Sequence, residues 1–293
     1  MIERTAGATR TEINADGDQD VVDYQGRFVW YELMTTDVAA ARTFYSKVLG
    51  WGVQDASMPG LLYTFFTAGN TFVSGLMELP EAARHTGTAP QWIGYVAVND
   101  VDATVKRIRR LGGAVRVPPT DVVNVSRFSI VADPQQASLA VVKWLKPRGE
   151  GLGDPAEPGR VGWHELLAAD CEAAFDFYRE LFDWQRADAG AAAANHRFAV
   201  RGQAIGAMFP KPPLFSAPLW LYYFNVRDIN AAADRVKGAG GVILEGPIAT
   251  PGGNRIVHCA DPQGVVFALE GRPRHGIGYF APAPPRAVNP TPE

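Results

Sequence analysis

The 293-residue chain is longer than one average domain, and 47% hydrophobic with 20% charged residues is enough apolar material for packed cores, which excludes a wholly disordered chain. A net charge of −3 argues against a general polyanion binder, and the one basic cluster, Lys106, Arg107, Arg109 and Arg110, falls at the end of a predicted helix, where cations favour the dipole, so no nucleic-acid partner is expected. Two cysteines without a CxxC spacing, Cys171 and Cys259, supply neither a disulfide framework nor a thiolate zinc site, and with no apolar run of ~18 residues and a polar N-terminus the expected location is cytoplasmic, with no membrane partner.

In chain order, residues 1–26 are polar and read as a tail, followed by a first module over 27–147. It opens with a strand near 28–34 and a helix over 37–49, in which Val38, Ala41, Phe44, Tyr45 and Val48 form one apolar stripe. Strands near 51–56, 61–67 and 70–77 come next, then a strand near 91–98, a helix over 100–111, and strands near 114–117, 123–131 and 137–144. Each helix follows an Asp placed to cap it. A Gly- and Pro-rich stretch at 148–160 reads as a linker, 161–272 as a second module, and 273–293, with its six prolines, as a second tail.

The second module repeats the first. Residues 30–51, WYELMTTDVAAARTFYSKVLGW, match 163–184, WHELLAADCEAAFDFYRELFDW, without gaps and with nine identities, among them Trp30/Trp163, Glu32/Glu165, Asp37/Asp170, Phe44/Phe177, Tyr45/Tyr178 and Trp51/Trp184. Residues 92–135 match 220–263, pairing Trp92/Trp220, Tyr95/Tyr223, Asp100/Asp228 and Asp133-Pro134-Gln135/Asp261-Pro262-Gln263. Tandem duplication with variable loops follows. The expected architecture is α+β: four βαβββ units forming two cupped mixed sheets with helices outside.

Strand, Asp, helix with Phe-Tyr and Leu-Gly-Trp (Phe44, Tyr45, Leu49, Gly50, Trp51), a strand ending in Asp100, and Asp133-Pro134 before a last strand together resemble the vicinal oxygen chelate superfamily of glyoxalases, extradiol dioxygenases and bleomycin and fosfomycin resistance proteins. The Trp-x-Glu-Leu openings, the Tyr95 and Tyr223 strands and the Asp-Pro-Gln-Gly-Val-Val-Phe-Ala ending are most similar to its tandem subgroup named for a mycobacterial 27-kDa antigen. The resemblance implies where metal ligands would stand: seven residues before each helix-capping Asp, and seven after the Asp of Asp-Pro. Those positions hold Trp30, Trp163, Ile93, Leu221, Ala140 and Ala268. None carries the imidazole or carboxylate that divalent transition metals need, so no metal and no cofactor is expected.

If those positions face inward, so do their i+2 neighbours. The first cup would then present Trp30, Glu32, Met34, Ile93, Tyr95, Ala97, Ser138 and Ala140, and the second Trp163, Glu165, Leu167, Leu221, Tyr223, Asn225, Ala268 and Glu270. By the same parity Tyr31 and His164 face the helix layer. The tryptophans are either core packing or flat walls for a planar ligand. The two glutamates are either buried acids satisfied by a tyrosine or an arginine, or acid/base groups with raised pKa. His258 reads as structural, its parity fixed by no landmark. Two functions follow. One is metal-independent binding of a small apolar or aromatic molecule, such as a polyketide-type natural product, with Trp30, Met34, Ile93, Trp163, Leu167, Leu221, Asn225 and Glu270 as the binding residues. The alternative is a cofactor-independent acid/base enzyme, with Glu32 and Tyr95, and Glu165 and Tyr223, as the catalytic pairs; a metal-dependent glyoxalase or dioxygenase would need ligands elsewhere. A monomer of two modules and a homodimer both fit.

Overall fold

The computed structural model describes residues 24–56, 62–85, 87–145, 153–187, 196–213 and 215–273. Nearly all of both expected tails and the first part of the expected linker lie outside the described residues. The first module runs β1 (Phe28–Thr35), α1 (Val38–Leu49), β2 (Gly52–Asp55), β3 (Tyr63–Ala68), β4 (Thr71–Glu78), α2 (Glu81–His85), β5 (Gln91–Ala97), α3 (Val101–Arg110), β6 (Ala114–Val122), β7 (Ser126–Ala132) and β8 (Ser138–Trp144). The second runs β9 (Val161–Ala168), α4 (Cys171–Phe182), β10 (Gln185–Arg186), β11 (His196–Val200), β12 (Gln203–Pro210), β13 (Leu219–Val226), α5 (Ile229–Gly238), β14 (Val242–Ala249), β15 (Arg255–Ala260) and β16 (Val266–Gly271).

Two elements depart from the sequence reading. The short helix α2 occupies a connection that carries no long apolar period. Strand β6 continues to Val122 instead of stopping near 117, through Pro118 and Pro119. Proline cannot donate to a ladder, but β6 is an edge strand and its pairing with β7 shifts register between Val117 and Thr120, where those N–H groups are not needed.

Each module forms one eight-stranded mixed sheet, in the orders β2-β3-β4-β1-β5-β8-β7-β6 and β10-β11-β12-β9-β13-β16-β15-β14. The two halves of a module meet along an antiparallel central pair, β1 with β5 and β9 with β13. Every long helix starts where an aspartate stops the preceding strand: Asp37, Asp100, Asp170 and Asp228 each accept an N–H from the first turn of α1, α3, α4 and α5. Helix α1 ends at Gly50 in the left-handed region (φ 73°), and its counterpart α4 ends at Asp183 with φ 57°.

The helix-bearing sides of the two sheets share one apolar core, which draws on Phe44, Tyr45, Trp51 and Trp92 from the first module and Phe177, Tyr178, Trp184 and Trp220 from the second. The polar atoms of these rings are paired across the boundary in duplicate. Tyr45 donates to Asp261 at 3.1 Å and accepts from the Trp92 indole at 3.0 Å; Tyr178 donates to Asp133 at 3.0 Å and accepts from Trp220 at 3.1 Å. Trp51 and Trp184 donate to the carbonyls of Gly159 and Gly26, just ahead of the opposite module's first strand. As the alternation of β1 and β9 predicts, Tyr31 and His164 also point into this boundary. There Tyr31 donates to His164 Nε2 at 2.6 Å, and Nδ1 donates to the carbonyl of Ile205 at 2.7 Å. Phe28 stacks on the imidazole at 4.1 Å between ring centres, and burial holds the His164 pKa down to about 4, so the ring is neutral.

Among the described residues no helix is long and apolar enough to cross a membrane.

Because each Tyr–Asp bond joins a buried hydroxyl to a buried carboxylate, Tyr45→Phe and Tyr178→Phe should each lower unfolding stability by about 1.5–3 kcal/mol in urea titrations at pH 7. A loss below about 0.5 kcal/mol would show that the boundary does not depend on these bonds.

Candidate functional site

The sheet faces turned away from the shared core form the two cups. In the first, alternation along β1 sends Trp30, Glu32 and Met34 outward, and Ile93, Tyr95 and Ala97 of β5 and Ala140 and Val142 of β8 join them in a separate apolar cluster. The cluster is closed: Trp30, Met34, Ile93 and Tyr95 are all buried, with Phe65 edge-on to Trp30 at 6.0 Å. Glu32 lies within it, accepting from Tyr63 at 2.8 Å and from Tyr95 at 3.0 Å, while the Trp30 indole donates to the Tyr63 hydroxyl at 3.3 Å. Burial raises the Glu32 pKa, and the two hydroxyl donors partly oppose that rise.

The second cup is built from the same strand positions and is more open. Leu221, Tyr223 and Ala268 form its floor, packed against a half-buried Trp163, with Leu167 buried and Asn225 and Glu270 part-exposed. Glu165 accepts from Tyr223 at 2.6 Å and from the Trp163 indole at 3.3 Å. Tyr223 is also 2.8 Å from His258 Nε2, and His258 Nδ1 is 3.2 Å from the carboxylate of Glu245, which is 64% exposed. Burial pushes the Glu165 pKa up to about 7, aided by the charge of Glu270 and opposed by the Tyr223 and Trp163 donors. His258 is lowered by burial, with Glu245 opposing. Glu270 accepts from Asn254 at 2.8 Å, and Asn225 donates to the carbonyl of Pro155 at 2.6 Å, tying down the end of the linker.

Strand parity thus gathers Trp30, Glu32, Met34, Ile93 and Tyr95 in one cup and Trp163, Glu165, Leu221, Tyr223 and Glu270 in the other. It does not find Tyr63, Arg197, Glu245 or His258. Arg197, whose guanidinium lies 6.0 Å above the Trp163 ring, occupies the register position that Phe65 holds in the first cup. Glu245 and His258 stand where the first copy has Val117 and Ile130. The available signal is that Val257 and Cys259 are apolar and enter the shared core, which turns His258 the other way.

The six positions that the resemblance implies as ligands lie on the central strands, with Trp30 and Ala140 paired to Tyr95, Trp163 and Ala268 to Tyr223, Ile93 to Glu32 and Leu221 to Glu165. Indole, aliphatic and methyl groups offer no lone pair to a cation, and among the described residues no three His, Cys, Asp or Glu side chains converge on a point that could hold a metal ion. The donor set therefore does not fit a divalent cation. A cavity of about 330 Å³ lies between the modules, lined in part by Arg27, Phe72, Arg160 and Gln203 and bordered by Trp30 of the first cup.

Comparison with known proteins agrees with this architecture. The profile of the Glyoxalase/Bleomycin resistance protein/Dioxygenase superfamily matches residues 27–141 and 160–269, and the chain belongs to that superfamily. It is similar to CFP32 of Mycobacterium tuberculosis, named as a glyoxylase, with 33% identity over 249 residues, 84% of this chain and 94% of CFP32. It is similar also to the anthracycline biosynthesis protein DauV of Streptomyces sp. strain C5, with 32% identity over 83% of this chain and 92% of DauV. Among solved structures, the Mn(II)-bound glyoxalase of Novosphingobium aromaticivorans shares the fold with a TM-score of 0.55 at 17% identity, covering 85% of this chain and 82% of that one.

Glu165 gives the site a pH signature in stability. With a pKa of about 7 folded against an ordinary carboxylate value unfolded, the folded state binds the extra proton between those values, so stability falls as pH rises through that window. The difference in unfolding free energy between wild type and Glu165→Gln should change by up to about 3 kcal/mol from pH 4 to pH 8, with the variant gaining as pH rises. A pH-independent difference would place Glu165 in an ordinary solvated environment.

Proposed function

We propose that the chain binds a small, largely apolar or aromatic molecule of polyketide type in the second cup, without a metal. The observation that carries this reading is the half-buried Trp163 packed against a floor of Leu221 and Ala268, with Arg197 above the ring and Glu165 and Glu270 as the carboxylates of the cup. An indole face and an apolar floor gain most from a flat ring system, which displaces water from both at once. Glu165 and the Tyr223 hydroxyl offer a hydrogen-bonding edge for the oxygens of such a ring. The relationship to DauV, named for anthracycline biosynthesis, supports a polycyclic aromatic as the class. The first cup fills its own volume with Trp30, Met34 and Ile93, which favours the second as the binding cup.

Fluorescence titration with 1,8-dihydroxyanthraquinone tests this. Quenching should saturate with Kd in the micromolar range, Trp163→Ala should weaken binding about tenfold, and Leu221→Trp, which fills the cup, should abolish it. Protein treated with a chelator should bind as tightly as untreated protein. Absence of quenching up to about 100 μM would end the binding proposal. Near-stoichiometric metal whose removal abolishes binding would end its metal-independent part.

A further inference from the structure

Binding alone does not account for the row of side chains behind Glu165. Tyr223, Ala268, His258 and Glu245 occupy directly paired positions on four adjacent strands, β13, β16, β15 and β14. The alanine is the small member. Its methyl leaves the space through which the Tyr223 hydroxyl reaches His258 at 2.8 Å, so a row of hydrogen-bonding atoms runs from a largely buried carboxylate to one that is 64% exposed. The first cup holds Ala140, Ile130 and Val117 at the matching positions, and its Glu32 ends on Tyr63 and Tyr95.

Counting protons along this row shows what it can do. The Tyr223 oxygen is within bonding distance of both Glu165 and His258 Nε2, but one hydroxyl proton cannot serve both. Two arrangements satisfy every atom. In one, Glu165 is ionised and accepts from Tyr223, while a doubly protonated His258 donates Nε2–H to the Tyr223 oxygen and Nδ1–H to Glu245. In the other, Glu165 is protonated and donates to Tyr223, which donates to Nε2 of a neutral His258 whose Nδ1–H remains on Glu245. Both hold the same number of protons. They interconvert when the tyrosine proton moves to Glu165 and the Nε2 proton moves to the tyrosine, which leaves tyrosine unchanged and transfers one proton from His258 to Glu165.

We infer that the second cup is an acid–base centre for an enolisable aromatic carbonyl compound, in which Glu165 exchanges a proton with the bound molecule while Tyr223 and His258 connect it to solvent at the Glu245 edge. The inference rests on the second cup holding such a molecule. In the step it supports, the ionised Glu165 takes a proton from the carbon next to a carbonyl. The C–H bond breaks, its electron pair becomes the enolate, and the proton resides on Glu165. Return of that proton to a different atom of the same enolate completes an isomerisation that consumes no other reactant. Glu165 and Tyr223, which face the bound molecule, are the catalytic residues; His258 and Glu245, which act through Tyr223, are positioning residues. The charged and titratable groups around the row are Glu165 on β9, Arg197 on β11, Tyr223 on β13, Glu245 on β14, His258 on β15 and Glu270 on β16.

Two measurements test the inference. Nitrogen-15 NMR of the ligand-free protein, with the His258 resonances assigned from His258→Gln, follows the imidazole through pH. In wild type the His258 shifts should respond to the ionisation of Glu165 near pH 7, Glu165→Gln should remove that response, and in a Tyr223→Phe background the same substitution should have a markedly smaller effect. Deuterium exchange at the α-carbon of 1-tetralone then reads the chemistry: wild type should exceed buffer, Glu165→Gln should lose at least about tenfold in kcat/KM, and His258→Gln should lower kcat with KM unchanged and alter the pH profile. A His258 titration that shows no response to Glu165 overturns the relay, and exchange at the buffer rate overturns the acid–base centre. Anthraquinone titration of the same proteins separates the outcomes. Intact binding with no coupling or exchange removes this inference alone, whereas coupling without binding removes the ligand reading and leaves the relay.

Discussion

Two buried tyrosine–aspartate hydrogen bonds, each crossing from one module to the other, set the constraint on which the rest of the molecule depends. Tyr45 reaches Asp261 and Tyr178 reaches Asp133, and each aspartate also caps its own turn by accepting two backbone N–H groups, from Gln263 and Val265 or from Gln135 and Ala137. One carboxylate thus shapes a local turn and locks a distant helix. Removed from water, such a group is tolerable only while its acceptor positions are filled, so the turn, the helix and the partner module are held together. Since this boundary uses the helix-bearing side of both sheets, the helix-free faces turn outward and away from each other.

The two copies of the sequence are most alike at that boundary and least alike in the cups. Phe44/Phe177, Tyr45/Tyr178, Trp51/Trp184, Trp92/Trp220 and Asp133/Asp261 all lie at or beside the shared core. Trp30/Trp163, Glu32/Glu165 and Tyr95/Tyr223 remain paired in the cups, but what surrounds them has changed: Phe65 against Arg197, Ile130 against His258, Val117 against Glu245, Val142 against Glu270. A packed boundary tolerates little change in shape, whereas an outward-facing cup can exchange apolar for polar lining so long as each new polar atom finds a partner. The first cup is closed by its own side chains, whereas the second leaves Trp163 half-buried and carries a polar row.

The repeat made the fold legible in the sequence, because the four capping aspartates and the two Asp-Pro turns fix where each strand and helix must stop. Alternation along β1, β5, β9 and β13 then placed Trp30, Glu32, Tyr95, Trp163, Glu165 and Tyr223, since a two-residue period has only two phases and the boundary residues occupy one of them. His258 was legible only through its apolar neighbours Val257 and Cys259, and Glu245 was not: it lies on β14, whose pairing with β15 shifts register between Ile243 and Glu245, so no count from a landmark carries across. Arg197 and Tyr63 lie on the outer strands β11 and β3, where the two copies share no motif. These are the residues that separate one cup from the other, and they stand where periodicity gives out.

The most direct measurement is a crystal structure of the protein with 1,8-dihydroxyanthraquinone bound. The ring system is expected flat against Trp163 in the second cup, with an oxygen edge facing Glu165 and Tyr223 and no cation between ligand and protein. A ring system seated instead between the modules beside Arg27 and Arg160, or a metal ion bridging ligand and side chains in either cup, would overturn the binding proposal.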